Sequence, residues 1–377
     1  MAFYQCPKCK KIWQYPIERC PHCFSGLERL KSEKIRVIGI SKVTIPTLLH
    51  PKVPYFVLVL ENEKGNKWVQ KSIKEYKIGD ELSFLSQKEL SSLNEKNAVA
   101  IWRIKYDILE AVEKVVELLG GAMRTPSSSS PSLHSEARWL KIDSQTKILI
   151  LPTLIAPKHP YLAVNTNPKF LESLIQYLKE IGGDVKNIKV AAQSFDETPI
   201  EASAQKSQLL DVCLRNHLLP FDLAKGNFVK RGKNGFIFEI SEEVFNADLV
   251  INLPILKLDS ELGVKGALEN TTKFLKAESY FSLKYLHSQE ELLEKLPEVL
   301  PSYFTIADGL TIQKANGLTT FLGLTLASFN PFNLDRVFAE IAMLGDLPEY
   351  LKKIKIEDIP IVGRKVEELQ YNIEKVG

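Results

Sequence analysis

Two cysteine pairs near the N-terminus constrain this chain more than any other feature. The segment reads Cys6-Pro-Lys-Cys9, then ten residues, then Cys20-Pro-His-Cys23. The spacing within each pair lets two thiolates of one tight turn reach a single ion, and two such turns complete a tetrahedron. Four thiolates leave no open coordination position, so the expected metal is a structural zinc held by Cys6, Cys9, Cys20 and Cys23. Iron in a rubredoxin-like site is the alternative. Trp13, Tyr15 and Ile17 alternate between the pairs, as in a short hairpin. A segment of about 25 residues buries too little apolar surface to fold alone, so metal binding would supply much of its folding free energy. His22 lies inside the second turn and is expected at the surface rather than as a ligand.

The chain has 377 residues, enough for two or three domains. Apolar residues make up 45% and charged residues 25%, values that allow a real buried core. No uninterrupted apolar run approaches the ~18 residues of a membrane span. The opening residues lack the basic-then-apolar order of a secretory signal. Four of the five cysteines sit in tight pairs, which fits metal binding in a reducing compartment better than a disulfide framework, and points to the cytoplasm. The net charge of +3 is uneven: residues 1–96 hold 17 Lys+Arg and 10 Asp+Glu, against 32 and 36 in the remainder. A basic first module can meet an anionic cofactor, an acidic partner or nucleic acid, or simply present a solvated lysine-rich surface.

Short β-branched segments follow the cysteine pairs. Ile35–Val43 and Tyr55–Leu60 read as strands, a turn at Glu63-Lys-Gly65-Asn leads into Trp68-Val69, and Lys77-Ile-Gly79-Asp80 precedes Leu82-Ser-Phe84. Strands of this length between turn signals predict a small closed sheet over residues 31–96, after a ribbon over residues 1–30. The cysteine pairs, Gly39-Ile-Ser-Lys-Val, Pro54-Tyr-Phe-Val-Leu-Val-Leu60 and Ile78-Gly79-Asp80-Glu-Leu together resemble the acyl-CoA-associated domain of unknown function 35 family. That resemblance covers about residues 4–88. It implies a zinc ribbon joined to an OB-fold, working beside a thiolase-like or ketoacyl-synthase-like partner or its coenzyme A thioester. An OB-fold can also bind single-stranded nucleic acid on aromatic platforms, for which Tyr55, Phe56 and Trp68 are candidates, although aromatic residues on such strands are more often core.

From Ala98 the pattern changes. Strands are expected at Ala98–Ile104, Lys147–Leu151, Ile188–Ala192, Leu249–Leu253, Phe304–Ala307 and Leu324–Ser328, with helices at Ile108–Leu119, Pro168–Ile181 and Pro331–Leu344. This order predicts an α/β domain with a mostly parallel sheet over residues 97–365, and a C-terminal tail over 366–377. Thr125–Ser132 reads as a loop by composition. The helix ending in Leu-Leu-Gly-Gly, Thr166-Asn-Pro168, Ala247–Lys257, Ile306-Ala-Asp308-Gly309 and Leu326–Asp335 resemble, in that order, the domain of unknown function 362 family over about residues 98–363. The resemblance supplies no activity. Iron–sulfur chemistry is often suspected for relatives with cysteine-rich segments, but only Cys213 remains in this part of the chain, so cysteine alone cannot ligate a cluster there. Other departures are Leu151-Pro152-Thr153 for Lys-Pro-Asn, Lys257-Leu-Asp259 for Lys-x-His, and Glu269-Asn270 for Lys-Asn.

Ligands of open α/β sheets collect at the carboxyl ends of strands. Lys257, Asp259 and Asp308 are therefore the candidate catalytic residues, and Asn252 and Asp335 the candidate ligand-holding residues. Lys257 beside a carboxylate suits an anionic substrate or acid–base work. The three aspartates could instead hold a hard cation, or form turns and surface ion pairs. Gly263-Val-Lys-Gly266 lacks the P-loop order, and no G-x-G-x-x-G follows a strand. Cys213 and His217 are spaced i, i+4 on an expected helix, as a nucleophile and base or as a buried thiol with an incidental histidine. His159 and His287 have no visible partners. The leading expectation is a zinc-binding protein that binds an acyl-CoA-type or other small anionic ligand as a ligand-binding or scaffold component of an enzyme complex. The alternatives are an enzyme acting on an acyl thioester or carboxylic acid, and single-strand binding through the basic module.

Overall fold

Strands covered on both faces have no polar side to show. Ile148–Pro152 is buried at every position and Leu249–Leu253 at all but its first, as expected of parallel strands with helices on both sides. The computed structural model describes residues 3–13, 19–30, 35–47, 50–63, 65, 67–82, 96–104, 107–121, 142–196, 198–370 and 372–373. Three short strands come first: β1 (Phe3–Gln5), β2 (Ile12–Trp13) and β3 (Glu28–Leu30), in the antiparallel order β2-β1-β3. Tyr15 and Ile17 lie outside the described residues.

Next come β4 (Ile35–Val43), β5 (Tyr55–Asn62), β6 (Lys67–Ser72) and β7 (Glu81–Leu82), antiparallel in the order β6-β5-β4-β7. β5 alternates between half-buried and buried positions, so one face carries Phe56, Leu58 and Leu60 onto Ile35 and Val37. Gly39 sits where β4 slips its register against β5, and a Cβ there would press on the Val59 side chain. The expected strand through Phe84 and the closure of this sheet lie outside the described residues. Phe56 belongs to the core of the sheet and Trp68 packs against it, while Tyr55 is half-buried with Lys71 Nζ 4.6 Å from its ring centre. Of the three candidate base-stacking aromatics, one is thus a core residue and a second packs against the core.

The remaining strands are β8 (Val99–Arg103), β9 (Ile148–Pro152), β10 (Ile188–Ala192), β11 (Phe221–Asp222), β12 (Phe228–Lys233), β13 (Phe236–Ser241), β14 (Leu249–Leu253), β15 (Ile255–Asp259), β16 (Gly263–Lys265), β17 (Phe304–Gln313), β18 (Thr319–Ser328) and β19 (Ile361–Gly363). The main sheet runs β11-β10-β9-β14-β17-β18-β8-β19, with β15 also on β17 and β16 on β15. Its pairings are parallel except β17–β18, β18–β8 and β15–β16. The chain is therefore α/β, with small antiparallel sheets ahead of a larger, mostly parallel one. Helices Ile108–Leu118 and Pro168–Glu180 cover one face, meeting Ile148, Ile150, Phe304 and Ile306. Helix Pro331–Ile341 and the short helix Ala267–Thr271 cover the other, meeting Leu149, Leu151 and Val250.

The expected C-terminal tail contributes to this core: Val366, Leu369 and Ile373 are buried in the second cluster. Thr125–Ser132 lies outside the described residues. Among the described residues, no helix is long and apolar enough to cross a membrane.

Candidate functional site

The four paired cysteines meet. Their sulfur atoms all lie within 4.8 Å of one another, with Cys6 to Cys23 at 3.2 Å and Cys9 to Cys20 at 3.5 Å. Zinc–thiolate bonds of about 2.3 Å in a tetrahedron put sulfurs ~3.8 Å apart, inside that range. Each turn is built the same way. Lys10 N–H donates to the Cys6 carbonyl and Phe24 N–H to the Cys20 carbonyl, and Lys10 and Phe24 both adopt positive φ to close the loop. Cys9 N–H also points at the Cys6 sulfur, 3.4 Å away, as it would toward a thiolate. All five cysteines are free of disulfides. His22 is exposed beside Lys11 and takes no part in the cluster. The donor set fits a structural metal ion.

Lys257, the first of the sequence-expected candidates, lies on an element that sequence periodicity does not resolve. Lys257 sits in β15, which turns at Gly263 and returns as β16, so that Lys257 lies directly opposite Lys265 and Asp259 opposite Gly263. Opposed residues of an antiparallel pair share a face, and so do residues i and i+2. Lys257, Asp259 and Lys265 therefore project from one side of the hairpin, while Leu256, Leu258 and Val264 enter the core from the other. Asp259 is committed to structure. It bonds Lys265 Nζ at 2.6 Å and accepts the N–H groups of Glu261 and Leu262 at 3.0 Å each. Burial opposes its ionisation, yet Lys265 and these two amides outweigh burial and hold its carboxyl below the usual range.

Lys257 is only 7% exposed and has no hydrogen-bond or ion-pair partner among the described residues. Burial pushes its ammonium down to about 8, against the pull of Glu269, with the charges of Lys265 and Lys273 adding to the depression and Asp259 opposing it. Lys273, also 7% exposed, rests its ammonium 3.7 Å from the ring centre of Phe195. Burial lowers its affinity for a proton as well, opposed by Glu269 and Asp196. Glu269 is half-buried on helix Ala267–Thr271, and its carboxylate has no hydrogen-bonded or ion-paired partner among the described residues. The outcome is three lysines and the Glu269 carboxylate near enough to act on one another's charge. Lys265, Lys273 and Glu269 are absent from the sequence-derived set. Their signal is the Gly263 turn, which makes Lys265 the cross-strand neighbour of Lys257.

The other candidates do different work. Asp308 is fully buried on β17, where one oxygen accepts Asn167 N–H at 2.8 Å and the other accepts Leu310 N–H at 3.1 Å. Asn167 caps helix Pro168–Glu180, so this carboxylate lies at the helix's positive end. Asp335 does the same for helix Ala267–Thr271, accepting Ala267 N–H at 2.7 Å and Leu268 N–H at 2.9 Å. Burial raises both carboxyls to about 7 despite these amides, and for Asp335 the Glu269 charge adds to the rise. Asn252 is consumed by a buried network. Its amide donates to the Ala267 carbonyl and Thr305 Oγ1, while its oxygen accepts from Asn270 Nδ2 at 2.7 Å. Asn270 also donates to the Leu151 carbonyl and accepts from Thr153 Oγ1 at 2.8 Å.

The candidate residues thus separate. Asn252, Asp308 and Asp335 hold strand ends to helix starts, and of the five candidates Lys257 alone has a side chain with no hydrogen-bond or ion-pair partner among the described residues. Cys213 and His217 do not form a pair, since Cys213 is fully buried, with burial pushing its thiol up to about 11, and His217 is exposed at positive φ. His159 accepts Tyr161 N–H at the start of a 3-10 turn, and His287 stacks on Phe236 with ring centres 4.1 Å apart.

The model of the family described as "Domain of unknown function (DUF362)" matches residues 148–340, which span β9 through nearly all of helix Pro331–Ile341. The chain belongs to this family. The matched span contains β14, β15, β16 and both carboxylate-capped helices, so the lysine cluster is part of the DUF362 domain. It is narrower than the span over which the motifs resemble the family. No curated protein matches the chain. One similar solved structure is titled "Ltp2-ChsH2(DUF35) aldolase". It is 25% identical, covers 22% of this chain and 68% of its own, and has a TM-score of 0.19. DUF35 is the family that the N-terminal motifs resemble. Another is the lactate racemase apoprotein from Thermoanaerobacterium thermosaccharolyticum, 12% identical over 66% of this chain and 56% of its own, with a TM-score of 0.38. Neither likeness is close enough to transfer an activity.

Proposed function

We propose that this protein is a zinc-stapled binding protein whose DUF362 domain takes a small anionic ligand between Lys257, Lys265 and Lys273. The observation that carries the reading is Lys257, buried to 7% exposure with no hydrogen-bond or ion-pair partner among the described residues. An unpaired buried ammonium is costly, and folded proteins keep such groups where a ligand or a reaction uses them. Two further lysines bias the spot toward negative charge, while Asp259 neutralises only one of the three. Zinc is the metal best suited to a closed set of four thiolates, and it would act as a staple for the N-terminal ribbon. An acyl-CoA-type ligand, and a thiolase-like or ketoacyl-synthase-like partner, follow from the N-terminal resemblance, and the basic first module suits either.

Native mass spectrometry of the full chain, purified from its source, tests the reading. About one zinc per chain is expected, together with a retained anion. Titration calorimetry with acetyl-CoA and with oxalate supplies defined probes. Lys257→Met should weaken binding of the probe that binds by about tenfold or more, since a charge-assisted hydrogen bond contributes ~1.5–3 kcal/mol. Unchanged affinity in that variant would remove the site assignment.

A further inference from the structure

The anion site also has the makings of a covalent one. Lys257 is carried by a paired strand whose opposite face is locked into the core through Leu256 and Leu258, so its stem has a fixed origin. Among the described residues its amine meets no acceptor, which leaves the nitrogen lone pair uncommitted whenever the proton is off. Lys265, whose Nζ also bonds Asp259, stands opposite it and Lys273 lies on the adjoining 3-10 turn, and both charges act on the Lys257 ammonium. Glu269, one helical turn before Lys273, places a carboxylate whose charge acts on both Lys257 and Lys273.

We propose that Lys257 is an amine nucleophile that forms a Schiff base with a small 2-oxo acid, whose carboxylate is held by Lys265 and Lys273 while Glu269 carries protons. This rests on the anion-binding reading above and adds the bond-forming step. The neutral Lys257 nitrogen attacks the keto carbon, a C–N bond forms, the carbonyl π pair moves to oxygen, and one proton passes from nitrogen to that oxygen to give the carbinolamine. The carbinolamine hydroxyl then takes a second proton and leaves as water while the freed nitrogen lone pair closes C=N, and the iminium nitrogen gives up its remaining proton. One amine and one ketone become one imine and one water, with no change of oxidation state. Glu269 can donate the proton that leaves with water and accept the one released by nitrogen.

Burial and the neighbouring lysine charges favour the required neutral amine, with the ammonium brought down to about 8. The charged groups around it are Lys265 and Asp259 on its own hairpin, Glu269 on the following helix and Lys273 on the 3-10 turn. A surface lysine near 10.4 would be almost wholly protonated at the same pH.

The test is reductive trapping. The full-length protein is incubated with pyruvate and cyanoborohydride between pH 6 and 9, and the adduct is counted by intact mass and placed by peptide mapping. One adduct at Lys257 is expected, with a trapping rate that climbs toward a plateau above about pH 8. Lys257→Arg should abolish it. Glu269→Gln should slow trapping at least several-fold while pyruvate and its non-carbonyl counterpart lactate still bind. Adducts spread evenly over surface lysines, or none at Lys257, would overturn the covalent step. If lactate still binds in that case, the anion site stands and only the covalent step falls. If lactate and pyruvate both fail to bind the wild type, the choice of 2-oxo acids falls, and the oxalate and acetyl-CoA titrations decide the anion site separately.

Discussion

A single buried ammonium sets the energetics of the site. Lys257 in the folded protein releases its proton near 8, while the unfolded chain holds it to about 10.5. Between those values the unfolded state binds more protons, so stability rises with pH through that window. Below about 8 the full cost of the buried charge is present. Lys257→Met removes the charge and keeps most of the volume, so it should stabilise the protein at pH 7 by on the order of 1–3 kcal/mol. The gain should fade as pH climbs from 8 toward 10.5. Urea midpoints at pH 7 and pH 10 read both effects, and a variant less stable at pH 7 would mean that Lys257 is held by something other than its chemistry. A site that trades stability for an available charge is a common signature of function. Thr153 and Asn270, in contrast, satisfy each other and contribute to order alone.

At the scale of elements, two buried carboxylates tie helix starts to the sheet. Asp335 reaches from helix Pro331–Ile341 to the first amides of helix Ala267–Thr271, which carries Glu269. Gly266 is needed just before that helix, because a Cβ there would run into Asp335 Oδ1. Asp335→Ala leaves two buried N–H groups without acceptors, and should cost about 2–4 kcal/mol in denaturant midpoint. Gly266→Ala should destabilise the protein in the same direction through the same contact. If both variants melt like wild type, the helix is held by its apolar face and the carboxylate is incidental. The motif Gly263-Val-Lys-Gly266 therefore has a packing meaning, although its order excludes a P-loop. The main-sheet strands are legible as continuous apolar runs, because both faces of that sheet are covered, and the long helices from their 3.6-residue periodicity. The β15–β16 hairpin is not legible, since β16 has three residues and no alternation to read. The β12–β13 hairpin is marked by Asn234-Gly235, both at positive φ, yet does not figure among the expected strands. Asp308 stands out in the sequence because it follows an expected strand, and Asp335 because it sits near the start of the last long helix. Their role as helix caps depends on amides more than 60 residues away in sequence, which no local pattern reveals.

Across the whole molecule, stability has three separate sources. The main sheet buries two large apolar clusters, one on each face. The β4–β7 sheet has a small core of five buried residues, Ile35, Val37, Phe56, Leu58 and Leu60. The ribbon has no such cluster among its described residues, and Cys6 and Cys20 are its fully buried side chains. A metal held by the four cysteines would therefore supply much of the ribbon's folding free energy, and none of those cysteines belongs to the two clusters of the main sheet. Removing the metal with a strong chelator, or substituting Cys20→Ala, should release about one zinc per chain. The ribbon should then become open to protease, while the main thermal transition shifts by no more than a degree or two, because a change confined to one small module leaves the two large clusters intact. Limited proteolysis with and without chelator, read beside calorimetry, checks both halves at once. Cleavage confined to residues 1–30, with the main transition preserved, is the expected pattern. Loss of the main transition on chelation would mean that the cysteine cluster supports the large domain directly, and that the two ends of the chain fold as one unit.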